Sequence, residues 1–458
     1  MSKYARVGFA TKLGGLLAAA GSAIGLGNIW RFPTEAGENG GSAFILVYFI
    51  CIAIFGIPLL IAEFAIGRHA RANVGNAYRV LAPNTLWKVL GPLSVLVAFC
   101  IFCYYNVVVG WVFYYVWDAL VGNFVSMGAS ADAAKAFSDH FSSFIADPWK
   151  PLLCLYIVTG LCHFVVVSGV QGGIERSSKL LIPGLFIIMI MLAVFAFFMP
   201  GAAEGYKFVF SFDFSALSTS VFLSALGQCF YSLSIGMGLI TYASYFRRDV
   251  DLAGTAISIS VMASLVAVLA GIIIFPAVFS VPGMTPQAGA GLVFVALPNV
   301  FNSALSSIPF LAWFVPLMFY VILFVAALTS TIFLHEVSTA FVAETFGTTR
   351  HRAAIYVTIG AAAFGTACSL SLGPWDFKFF GMNLFDFLDY VTANLILPLT
   401  GMGAALFVGW KLTTRQLWTE LTSYGKIRFS WLRPFLFAVR FLAPILILCV
   451  MASHFGLF

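Results

Sequence analysis

The stretch GSAIGLGNIWRFP, residues 21–33, decides how this sequence is read. It lies between two apolar runs, LGGLLAAA and SAFILVYFICIAIFGIPLLIA, yet it carries Gly21, Gly25, Gly27, a charged Arg31 and Pro33. Glycine weakens a helix and proline removes a backbone donor. In lipid, each stranded N–H or C=O costs several kcal/mol unless something else satisfies it. A break here persists only where other groups use the freed backbone. Bare N–H ends favour an anion such as a carboxylate; bare carbonyls favour a hard cation.

The surroundings are those of a lipid-embedded chain. Of 458 residues, 61% are hydrophobic and 9% charged, with mean hydropathy +0.99. Soluble domains carry about 25% charged residues. Apolar runs long enough to span a bilayer recur along the whole length. The first contains Lys12 and no signal-type cleavage site, so it is expected to be a retained helix. The eight cysteines all fall inside apolar runs, where no disulfide framework forms. Cys100 and Cys103 make a CxxC with no second pair or histidine cluster, and are read as small residues on a helix face.

Hydropathy predicts an all-α polytopic membrane protein with eleven spans, at about 10–36, 42–70, 89–121, 152–170, 177–199, 218–246, 253–282, 307–343, 353–372, 387–410 and 434–457. The segment 284–306, rich in Gly and Pro, is expected to lay a short amphipathic helix over the outer face. Residues 68–88 hold Arg68, Arg71, Arg79 and Lys88 and no acid, and 411–433 hold five cations against Glu420. Residues 118–150 hold Asp118, Asp132, Asp139 and Asp147 against two lysines. The positive-inside rule therefore places the N-terminus in the cytoplasm, and an odd number of spans places the C-terminus outside. The net charge of +6 follows from this asymmetry, and no nucleic-acid partner is needed to account for it.

A second glycine-rich break, SLSIGMG at 232–238, falls in the sixth span. Five spans separate it from the first, so the two copies cross the membrane in opposite senses. Interrupted helices at matching positions of two halves mark an inverted repeat with a central site. The halves are expected at 10–199 and 218–410, within one membrane domain over 1–458, with 434–457 as an extra helix. Anion and cation ends together suit a zwitterion and a small cation. The competing reading, glycines that only permit close helix packing, fits one such stretch better than two matched ones. Arg31 needs a partner at membrane depth, and Asp389 in FDFLDYVTAN is the candidate. Glu63 and Glu38 are read as structural hydrogen-bond anchors. An ion channel would want a continuous polar stripe, which spans two, four, nine and eleven lack. An enzyme would want a metal or nucleophile cluster. The six histidines are scattered, and His335 and Glu336, being adjacent, face different ways on a helix.

At GSAIGLGNIWRFP and SLSIGMG the chain resembles the bacterial neurotransmitter:sodium symporters, among them leucine and tryptophan transporters, over nearly its whole length. The resemblance implies the leucine-transporter-like fold and, with no twelfth span, the eleven-span bacterial branch. It implies sodium-coupled import of an amino acid by alternating access in the bacterial inner membrane. It implies a second sodium site at Gly21, Ile24, Ala326, Thr329 and Ser330; Thr329 and Ser330 are also adjacent hydroxyls in an apolar span. A first sodium site would use Ala23, Asn28, Ser232 and an Asn or Asp where this chain has Ala263. That departure removes a side-chain oxygen, Ser264 pointing about 100° away on a helix, and makes one sodium per cycle plausible. Chloride-dependent members bind chloride near residues matching Tyr48, Gln228, Ser232, Ala263 and Ala267; two of these are alanine, so chloride coupling is not assigned.

The implied substrate pocket comprises Ser22, Ala23, Gly25, Leu26, Gly27, Ile101, Tyr105, Tyr231, Ser232, Ser234, Met237, Ser330 and Leu334. Tyr105 would bond a carboxylate and Tyr231 would lie over the substrate. Ser22 stands where amine transporters carry aspartate, which disfavours a monoamine. The apolar lining with flexible Met237 suits a hydrophobic or aromatic side chain; an amino-acid-derived organic or aryl acid is the alternative. Arg31 with Asp389 would close the outer side. Arg6 with Glu344, near Ser244 and Tyr245 and over Phe9, would close the inner side. Gly173 and Pro183 match a family motif for unwinding span five to admit water to the second sodium site.

Overall fold

A computed structural model of the chain describes residues 7–211, 214–280, 291–375 and 377–455. Among these residues the regular structure is helical, apart from one bridge between Phe379 and Met382. Nine continuous helices are long and apolar enough to cross a membrane. They are α3 (Ser42–Ala70), α4 (Leu86–Leu120), α5 (Lys150–Val167), α6 (Val170–Phe197), α9 (Leu252–Phe279), α11 (Pro309–Thr345), α12 (Arg350–Leu370), α13 (Leu384–Lys411) and α14 (Leu432–His454). A tenth span is the bent pair α1 (Lys12–Ala23) and α2 (Gly27–Glu38), which meet at 55°. The expected sixth span is broken more severely, into α7 (Thr219–Ser232) and α8 (Leu239–Ala243), each short of spanning length. Length and apolarity thus count ten of the eleven expected spans.

The first break begins where Ile24 turns extended, with φ −90° and ψ 96°. The second runs through Ser234, Gly236 and Gly238, with φ of 52°, 84° and 100°. Left-handed backbone costs an ordinary side chain energy, and glycine relieves that cost. Space demands glycine here too: a Cβ on Gly236 would lie 2.7 Å from the Leu397 carbonyl oxygen, and one on Gly238 2.9 Å from Val337 Cγ1. Around the breaks, α4 and α11 run side by side as buried scaffolds.

The connections carry helices where the sequence suggested only charged loops. Ala133–Ala146 is a helix whose Phe137 and Phe144 are buried on one side while Asp139 faces outward. Leu292–Leu305 forms the short helix expected near 284–306, labelled α10. The fifth span begins at Val170, seven residues before its expected start, through a wide π turn at Val170–Glu175 after Gly169, whose φ is 90°.

Candidate functional site

Side chains take up several of the backbone groups freed by the breaks. The Leu26 N–H donates to the Tyr105 hydroxyl oxygen at 3.2 Å. The Gly236 N–H donates to Glu63 Oε1 at 2.7 Å, the anchoring role expected of Glu63. Ser234 donates to the Ser22 carbonyl at 2.7 Å, and so ties the two breaks together. Asn28 Nδ2 donates to the Ala23 carbonyl at 2.6 Å, and Gln228 Nε2 to the Gly27 carbonyl at 2.8 Å.

Two breaks, α4 and α11 enclose a cavity of about 590 Å³. Ser22, Ala23, Gly25, Leu26, Gly27, Ile101, Tyr105, Tyr231, Ser234, Met237, Ser330 and Leu334 line it. Ser232 alone of the expected set stands behind the wall, accepting from the Tyr48 hydroxyl at 2.8 Å and donating to Asn28 Oδ1. The same cavity also reaches Trp30, Glu35, Glu38, Phe385 and Asp389. Its carboxylates sit in this part; beside Ser22 the described lining has none. Sequence reasoning missed Phe333 and Val108 in the wall; each lies one helical turn or less from a residue it did name.

The oxygens of the expected second cation site converge. Ser330 Oγ lies 3.4 Å from each of the carbonyl oxygens of Gly21, Ile24 and Ala326. Thr329 Oγ1 bonds the Ala326 carbonyl at 2.9 Å and faces Gly21. A hard cation takes oxygens at about 2.3–2.6 Å, which in an octahedral shell sit roughly 3.4 Å apart. Carbonyls and hydroxyls at this spacing fit such an ion. The first site is poorer. Ala263 is fully buried and offers a methyl group. Ser264 is buried, and its Oγ, Ser260 Oγ and Gln228 Oε1 make no hydrogen bond among the described residues.

The gates differ from expectation in their partners. Arg31 pairs with Glu35 at 3.2 Å, one helical turn away, and its guanidinium lies 4.2 Å from the Tyr231 ring centre. Asp389 faces the same cavity but makes no ion pair with Arg31 among the described residues. Local i,i+4 geometry brings Glu35 within reach. On the opposite face, Arg6 lies outside the described residues. Glu344 accepts from the Asn73 side chain at 2.7 Å and its backbone at 3.2 Å. Tyr245 instead donates to Glu336 at 2.6 Å, and Arg350 grips Glu336 through two nitrogens at 2.9 and 2.5 Å. Ser244 bonds within its own turn to Thr241, and Phe9 packs edge-on against Tyr242 and Tyr245. Glu175 accepts from the backbone N–H of Ala10 at 2.7 Å and of Thr11 at 3.2 Å, and from the Thr11 hydroxyl at 2.7 Å. Gly173 lies in the π turn before it, and Pro183 lies inside α6.

A helical membrane protein whose two unwound spans meet at a buried cavity, with oxygens gathered for a cation, has the build of an ion-coupled transporter. Comparison with known proteins agrees. The model of the sodium:neurotransmitter symporter family matches residues 6–129 and 131–457, and the chain belongs to that family. It is 34% identical to an uncharacterized sodium-dependent transporter of Bacillus subtilis, over 100% of this chain and 99% of that one. It is 30% identical to another from Methanocaldococcus jannaschii, over 93% of this chain and 86% of that one. The crystal structure of MhsT in complex with L-phenylalanine is 41% identical, with a TM-score of 0.87, over 98% of this chain and 100% of that one. The fold is leucine-transporter-like, and the chain is a sodium-dependent, multi-pass membrane transporter and not an enzyme.

Proposed function

We propose that this transporter imports a hydrophobic or aromatic amino acid together with sodium. The observation that carries this reading is the meeting of opposite backbone ends in one cavity. With the Leu26 N–H already given to Tyr105 oxygen, the phenolic hydrogen is free to donate to a carboxylate. The carbonyls of Gly21 and Ile24, gathered with Ser330, suit sodium. Ser22 leaves a lone ammonium without a counter-charge, so substrate with its own carboxylate is favoured over a monoamine. Ile101, Met237, Phe333 and Leu334 offer an apolar wall for a bulky side chain. The L-phenylalanine held by MhsT supports the same class of substrate.

In this scheme substrate and sodium enter from the outer cavity, and the Tyr231 ring and Arg31 then close over them against Asp389. The Glu336 lock and the amino-terminal segment open next, and α6 unwinds around Gly173 and Pro183 to let water reach the second site. We place the arginine-rich face in the cytoplasm of a bacterial inner membrane and the aspartate-bearing face outside. The repeats run over 10–199 and 218–410, with 434–457 appended.

Ala263 favours a single sodium ion, at the second site. One ion is enough: a charge crossing 100 mV gains about 2.3 kcal/mol, and a tenfold gradient adds about 1.4 kcal/mol. Together they sustain roughly 500-fold accumulation of a neutral solute. The missing oxygen at Ala263 also favours a second reading, transport of an organic or aryl acid derived from an amino acid. A thermal-shift screen of the twenty amino acids and their keto- and aryl-acid relatives, with and without sodium, separates the two. Sodium-dependent stabilisation by phenylalanine or leucine is expected; response to the acids alone selects the second reading, and response to neither rejects both.

A further inference from the structure

The two halves of the His335–Glu336 pair do separate work. Glu336 belongs to the lock with Tyr245 and Arg350. His335, fully buried on the other side of α11, is bonded through both ring nitrogens to threonine hydroxyls: Nδ1 to Thr339 Oγ1 at 3.0 Å and Nε2 to Thr358 Oγ1 at 2.9 Å. That same Thr358 oxygen also bonds His163 Nδ1, at 2.8 Å, from α5. The His163 ring lies 6.2 Å from that of His335 and 6.5 Å from that of His351. His351 is exposed in the first turn of α12, at the face where Asn73 meets Glu344.

A fixed acceptor such as a carbonyl commits the ring to one tautomer. A hydroxyl both donates and accepts, so threonines on both nitrogens accommodate either tautomer and the cation alike. We propose that His163, Thr358 and His335 form a proton-binding relay that loads from the arginine-rich face and makes uptake depend on the pH of that compartment. In the transfer, His163 Nδ1–H gives its proton to Thr358 Oγ1 while Thr358 gives its own hydrogen to His335 Nε2. One N–H and one O–H break, one O–H and one N–H form, and a single positive charge moves inward.

The groups facing the relay connect it to the inner lock. Span α12 contributes Arg350 and His351, and α11 contributes Glu336. From α5 come His163 and Cys162, whose thiol is bonded to Thr331 at 3.2 Å. Helix α4 presents the Phe102 ring, 5.2 Å from His335. A proton on the relay therefore sets a second cation beside the Arg350–Glu336 pair, and the two share one region of low dielectric.

The test has one arm that reads transport and one that does not. In proteoliposomes of known orientation, sodium-driven uptake is measured with the pH of the arginine-rich side stepped from about 5 to 8, covering the acid side of the histidine range. The wild type is expected to change rate by about threefold or more, and His335→Gln and Thr358→Val to flatten that profile while keeping sodium-dependent thermal stabilisation. In the second arm, NMR of ring-labelled histidines follows the protein without substrate. The His163 and His335 signals are expected to titrate together, and Thr358→Val to uncouple them. A flat wild-type profile, or profiles unchanged in both variants, overturns the relay's role in transport. Independent titration of the two rings in the wild type overturns the relay itself, whatever the substrate proves to be.

Discussion

Ser330 is the residue on which sodium dependence turns, because its one hydroxyl approaches three carbonyl oxygens from two helices. Ser330→Ala combined with Thr329→Ala is expected to abolish sodium-dependent uptake. Uptake that persists in sodium would remove this site from the scheme. The converse change at Ala263 adds a side-chain oxygen at the position where the first cation site lacks one. Ala263→Asn is expected to raise the sodium Hill coefficient from near one, and a wild-type value near two would contradict the single-ion scheme. These residues were legible in the sequence because a hydroxyl pair in an apolar span and glycines in an apolar run both violate the local pattern. Glu336 with Arg350 and Arg31 with Glu35 were not. The first pair needs the turn between α11 and α12 to fold back, and the second competed with a distant aspartate that the sequence offers equally.

Among the elements, the second break makes the sharper demand on its glycines. Gly238→Ala is expected to destabilise by about 1–3 kcal/mol, through the left-handed backbone and the approach to Val337. Gly227→Ala, inside α7 with open space around its position, is expected to be neutral or to stabilise by about 0.5–1 kcal/mol. Thermal unfolding in detergent compares the two. The end of α3 is tied to the surface helix Thr414–Leu421 by Arg68, which bonds Glu420 Oε2 at 2.8 Å with both groups buried. Burial works against the charge on Glu420, but His69 and Arg68 outweigh it and hold its carboxyl below the usual range. A depressed carboxyl contributes stability above its unfolded value of about 4.3, lost as pH falls through the folded value. Glu420→Gln is expected to cost about 3 kcal/mol at neutral pH and to remove that acid sensitivity. The helices themselves were visible in hydropathy. The helix Ala133–Ala146 was hidden, since its acids marked it as loop and only two phenylalanines recorded its buried side.

For the whole molecule, the asymmetry of loop charge predicts which face meets which compartment. The eight cysteines are buried or half-buried, so single introduced cysteines report cleanly. Ser143→Cys, exposed on the aspartate-bearing face, is expected to react with an impermeant maleimide in intact cells, and Ser430→Cys, exposed on the arginine-rich face, only after lysis. The reverse result would invert the assigned topology. Glu175 carries a consequence of its own. Its carboxylate clasps the backbone at Ala10 and Thr11, just ahead of the first span, while its main chain closes the π turn of the fifth. A swing of the amino-terminal segment ahead of α1 or a fraying of the fifth span strains the same clasp. Release of that clasp is a step the two motions share, so either one makes the other easier.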